Sequence, residues 1–174
     1  PIWYANRPRS QYGIDLREPI YFVVDPTFYA DCEPDSSCLA DRLDIFTHGI
    51  NDWFDHFNKN TRPKAIIVFS VDEVPVDARN PPIHLQMIDD GCVIGGSIRR
   101  ACYGENPFPR IIFDTPEYIT VPTSAHEIGH ALGLDHRSSD SIMSYRDNNI
   151  VQPIDIITLC KQNSTCPPHD AAWC

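Results

Sequence analysis

The densest chemistry in the chain lies in one stretch, where His126, Glu127, His130, Gly133 and His136 fall within eleven residues. Histidines four residues apart on a helix project from one face, so the imidazoles of His126 and His130 can reach a single ion at about 2.0–2.1 Å. Gly133 falls where that helix must stop. Glycine enters left-handed dihedrals without steric cost, so the chain can turn there and bring back His136 as a third ligand. Three nitrogen ligands with an open fourth position match catalytic zinc, on which a water's pKa falls to about 7. Glu127 adjoins a ligand without being one, so it can take that water's proton and hand it to a leaving amine, as general base and then acid. The pattern therefore predicts zinc-assisted amide hydrolysis. For this composition, chance produces such spacing with a probability on the order of 10⁻⁵. A structural zinc would be closed by a fourth Cys or His, and none stands near His136. His48, His56, His84 and His169 lack ligand spacing and are read as surface or core residues.

The elements that must position this group follow from apolar spacing. Residues 20–24, Ile-Tyr-Phe-Val-Val between prolines, read as a first strand. Leu39, Leu43, Phe46, Ile50, Trp53, Phe54 and Phe57 recur at three and four, which predicts a helix with one wide apolar stripe, capped by Ser36 or Ser37. Residues 65–71, 83–88, 93–98 and 110–114 are further strand candidates, with Gly95 and Gly96 as a bulge or bend. Helical character returns over 121–134, with Thr123 or Ser124 near its start, and again from Pro153 to about Gln162.

Composition bounds what surrounds the site. The chain has 174 residues, 42% hydrophobic and 22% charged, which fits one folded domain and argues against disorder. Its formal charge of -10 would repel a phosphate backbone, so nucleic acid is excluded as a partner class. No apolar run approaches a membrane span, and residues 1–3 do not resemble a signal peptide, which reads as a mature or processed form. Seven cysteines without a Cys-x-x-Cys pair point to disulfides in an oxidising compartment, hence to secretion. Near neighbours are the expected pairs: Cys32 with Cys38, Cys92 with Cys102, and two of Cys160, Cys166 and Cys174.

The segment from His126 to His136 resembles the metzincin clan of zinc endopeptidases, whose H-E-x-x-H-x-x-G-x-x-H motif it matches at every fixed position. Ser141-Ile142-Met143-Ser144-Tyr145 is similar to the clan's Met-turn, with Met143 beneath the metal. Residues 129–136, the short gap to Met143 and residues 155–159 are similar to matrixins. Arg137 and Ser144 depart from them, while Tyr145, two places after Met143, is similar to astacins and serralysins. That resemblance implies that Tyr145 can bind the metal and swing to stabilise the oxyanion, the alternative being a core or rim aromatic.

The resemblance implies an α+β fold for residues 1–174 as a single catalytic domain. Its upper part, to about residue 135, holds a twisted, mostly parallel five-stranded sheet with two helices above the cleft. A small irregular lower part, about 136–174, carries a C-terminal helix. Substrates would be proteins or peptides bound by strand addition to an antiparallel edge, for which residues 93–101 are the candidate. A removed pro-segment is implied as well. The matrixin pattern for a structural zinc and calcium is not found, and His84, Asp89 and Asp90 lack its spacing, so a second zinc or calcium is left open. The competing reading is a catalytically silent, zinc-containing module that holds a protein partner in the same cleft. Glu127 argues against it, because a silent module has no chemical need for that carboxylate.

Overall fold

The computed structural model describes residues 14–32, 34, 36–137, 140–144 and 150–168. Seven strands are β1 (Ile20–Val24), β2 (Ala65–Val68), β3 (Ile83–Met87), β4 (Val93–Ile94), β5 (Ser97–Ile98), β6 (Ala101–Gly104) and β7 (Arg110–Phe113). Among the described residues the α-helices are α1 (Ser36–Phe54), α2 (Val121–Ala131) and α3 (Pro153–Gln162). One five-stranded sheet runs β2-β1-β3-β7-β6, parallel throughout except for β6, which pairs antiparallel with β7 at the edge. The fold is α+β with a mixed sheet. No helix among the described residues is long and apolar enough to cross a membrane.

Alternation along β1 builds two apolar layers. Ile20, Phe22 and Val24 enter the main core with Phe46, Trp53 and Phe54 of α1 and Ile128 of α2, while Val23 joins Val68 and Val74 in a smaller cluster. The two helices approach closely because Gly49 has no side chain. A methyl there would stand 2.8 Å from Ser124 Cβ and 3.0 Å from the Ala125 nitrogen. Across the same contact the Trp53 indole N–H donates to the Ala125 carbonyl at 2.8 Å. Buried Arg42 donates to the Phe28 carbonyl and, through both terminal nitrogens, to Asp31, each at 2.7 Å. That pair ties the turns after β1 to the face of α1.

Several expected boundaries shift. Residues 93–98 form no single strand but a two-stranded hairpin, β4–β5, turning on Gly95 (φ +58°) and Gly96 (φ +77°), as positive φ at both central residues requires. The antiparallel edge is therefore β6 and not residues 93–101. The strand expected over 65–71 stops at Val68, and a 3-10 turn follows at Val71–Glu73. α1 begins at Ser36, and the residue before it lies outside the described residues.

Disulfides join Cys32–Cys38, Cys92–Cys102 and Cys160–Cys166, the neighbour pairs expected, and Cys174 lies outside the described residues. In the chain-entropy view each closes a short loop worth about 2–3 kcal/mol.

Candidate metal centre

α2 starts and stops where the histidines need it to. Thr120, not Thr123 or Ser124, is the N-cap: its hydroxyl accepts the Thr123 N–H at 3.2 Å, and Pro122 suits the first turn. At the other end Gly133 adopts φ +101°, with the Gly133 N–H on the His130 carbonyl (2.9 Å) and the Leu134 N–H on the Gly129 carbonyl (3.0 Å). These two bonds make a Schellman cap, which satisfies the last carbonyls and reverses the chain toward His136. The helix accordingly ends at Ala131 rather than continuing to residue 134.

His126, His130 and His136 come together as the spacing predicts. His136 Nε2 lies 3.1 Å from His126 Nε2 and 3.1 Å from His130 Nε2. Two nitrogens bound at about 2.0–2.1 Å to one tetrahedral ion would stand about 3.3 Å apart. The remaining ring nitrogens fix the tautomers. His126 Nδ1 contacts the Ile142 carbonyl at 2.6 Å and His130 Nδ1 the Leu134 carbonyl at 2.7 Å. A carbonyl only accepts, so each Nδ1 carries the proton and each Nε2 presents a lone pair. Burial lowers the proton affinity of all three rings, His130 to about 4, which keeps them neutral at pH 7. One proton on His136 could satisfy a single 3.1 Å contact, whereas a cation satisfies every lone pair at once. These three residues could hold a metal ion.

Glu127 is buried on the same helix. The Tyr103 backbone amide faces the carboxylate and favours its ionised form, and Oε2 has no partner among the described residues. Burial pushes its pKa up to about 8, and a neighbouring dication would draw it down again. An unsatisfied buried carboxylate oxygen is costly unless a cation or reacting water meets it. The donor set and this orphaned oxygen both fit a divalent ion.

No protein family matches this chain, and no curated protein matches it. The centre is thus read from its own geometry.

Met143 is fully buried beneath Gly129: a methyl on Gly129 would overlap the Met143 sulfur and stand 2.8 Å from Trp53 Cζ2. Sequence reasoning missed what holds that turn. Fully buried Asp155, in the first turn of α3, accepts from the Ile142 N–H at 3.1 Å, the Gln152 N–H at 2.8 Å and the Ser141 hydroxyl. Ser141 Oγ in turn accepts the Met143 N–H at 2.9 Å. The Ile142 carbonyl is the one that orients His126, so Asp155 positions a ligand from the far side of the turn. The only sequence sign was a carboxylate three residues after Gln152, the spacing of a capping box.

Tyr145 and His169 lie outside the described residues. His48 and His56 stay apart from the ligand trio. His84 is buried in β3 with its ring 4.4 Å from that of Phe108 and belongs to neither candidate ligand group among the described residues. Asp89 and Asp90 instead meet Asp114 in an acidic group at the end of β7.

Proposed function

We propose that this protein is a zinc-dependent endopeptidase of metzincin type, acting outside the cell on proteins or peptides. His126, His130 and His136 are the ligands and Glu127 the general base and acid. The observation that carries this reading is the convergence of three neutral imidazole nitrogens next to a buried carboxylate with an unpartnered oxygen. When bound, zinc supplies Lewis acidity that polarises a carbonyl and acidifies water. The chain's residues do the rest. The two Nδ1–H bonds hold the rings of His126 and His130 so that their lone pairs converge. Ionised Glu127 accepts a proton from the attacking water and gives it to the amine nitrogen as the C–N bond breaks. Its raised pKa in a buried setting makes both protonation states reachable. The position of β6 at the sheet edge among the described residues supports binding of an extended peptide by strand addition. Three disulfides and the absence of a membrane-crossing helix among the described residues are compatible with an extracellular setting.

Replacing Glu127 with Gln tests this directly. Zinc content should stay near one per chain while cleavage of an unfolded protein falls by at least about 100-fold. A zinc-loaded parent chain with no chelator-sensitive cleavage would leave the partner-holding module as the better reading.

A further inference from the structure

The edge strand beside the centre carries opposite charges at its two ends. Arg99 and Arg100 immediately precede β6 and Glu105 immediately follows it, all three exposed. The chain has 24 acidic residues against 14 basic ones, yet neither arginine has a carboxylate within ion-pair distance among the described residues. Their backbone is held in place. The Arg99 N–H donates to the Cys92 carbonyl at 2.8 Å, Cys92 is bonded to Cys102 inside β6, and the Arg100 carbonyl accepts the Asp114 N–H at 3.0 Å. The Arg100 guanidinium lies 5.8 Å from the Tyr118 ring centre. At the other end, Glu105 accepts the Tyr103 hydroxyl at 3.2 Å.

Tyr103 marks the register: β6 packs against α2, and the Tyr103 backbone amide is the one that faces the Glu127 carboxylate. At about 3.3 Å per residue, Arg100 stands roughly 10 Å to one side of that point and Glu105 roughly 7 Å to the other. An extended peptide added antiparallel to β6 runs its C-terminal half toward the arginines and its N-terminal half toward Glu105. We infer that Arg99, Arg100 and Glu105 select substrates by charge, favouring an acidic side chain about two to four residues after the cleaved bond and a basic one shortly before it. This rests on the endopeptidase reading for the position of the cleaved bond. Strand addition itself is indifferent to side chains, so charges at the two ends of the strand supply a direction that backbone bonding lacks.

The test uses two fluorogenic peptides sharing a core taken from a bond the enzyme cuts in an unfolded protein. One has Lys before and Glu after that core, and the other has these flanks exchanged. The first should show at least a tenfold higher kcat/KM at low salt, with the gap shrinking severalfold in 0.5 M NaCl. The double variant Arg99→Glu/Arg100→Glu should reverse the preference, and Arg99→Gln/Arg100→Gln, which introduces no new repulsion, should abolish most of it. Equal rates, or a preference for the second peptide, overturn the inference and leave the endopeptidase reading intact. Binding of the same peptides to zinc-loaded Glu127→Gln protein, followed by fluorescence anisotropy, separates the two claims. Selective binding without any cleavage by the parent chain would sink the peptidase and keep the charge selection, whereas equal binding would sink the latter.

Discussion

Changing Gly129 to Ala probes the packing beneath the metal centre. An added methyl would overlap the Met143 sulfur and stand 2.8 Å from Trp53 Cζ2 and 3.2 Å from Met143 Cε. Ordinary carbon contacts begin near 3.5 Å, so the thioether must retreat by roughly 1 Å or more. It has little room, since Met143 and Trp53 are both fully buried and the indole is tethered to the Ala125 carbonyl. Overpacking of this kind costs about 1–3 kcal/mol, and the better helix propensity of Ala offsets about 1 kcal/mol of it. The net loss should be about 0–2 kcal/mol, read as a lower urea midpoint on the chelator-treated chain with its disulfides intact. Met143→Ala alone should cost about 2–5 kcal/mol. In that background the sulfur and Cε contacts are gone and, of the three nearest atoms, only Trp53 Cζ2 remains, so Gly129→Ala should cost at least about 1 kcal/mol less than in the parent. If the cost is the same in both backgrounds, the sulfur is not what excludes a side chain at residue 129, and the packing reasoning fails.

Two other perturbations test what surrounds the centre. Asp155→Asn leaves one acceptor oxygen for the Ser141, Ile142 and Gln152 donors, so zinc affinity should weaken about 10–100-fold in competition with a chromophoric chelator. An unchanged Kd would mean that the Ile142 carbonyl holds His126 without help from Asp155. Asp31→Asn should cost about 1–2 kcal/mol at pH 7, because buried Arg42 keeps the Phe28 carbonyl but loses its charged partner, and half-exposed Asp31 is screened by water. The Arg42 guanidinium holds the Asp31 carboxyl below its usual range, so this stabilisation is present above about pH 4 and is lost as pH falls through the folded value. Urea midpoints of parent and variant should therefore converge in acid, and a gap that persists at pH 2 would contradict the assignment.

Features fixed by short spacing were legible in the sequence. Four-residue separation put His126 and His130 on one face, Gly133 could be assigned the left-handed stop, and near-neighbour cysteines paired as expected. What spacing could not carry was contact between distant segments. Asp155 looks like an ordinary helix-start carboxylate until the fold sets it against residues 141–142. β6 is only four residues long and half-buried throughout, so it shows no alternation to recognise. The hairpin turn was legible but misread, since Gly-Gly between two apolar pairs is a stronger sign of a two-residue turn than of a bulge. α2 starts at Val121 as expected, with Thr120 as its cap just outside and Pro122 in its first turn.

All three imidazoles have been synthesised once residue 136 is in place, but the carboxylate that braces the Met143 turn comes 19 positions later. Further along, the Asn163 amide donates to the Ile14 carbonyl at 2.6 Å, and the Thr165 hydroxyl accepts the Leu16 N–H at 3.0 Å, closing nearly the whole chain on itself. A nascent or nicked polypeptide that ends before residue 155 therefore displays the complete signature while lacking the brace for its first histidine. Synthesis order thus delivers the ligands before the carboxylate that steadies the first of them.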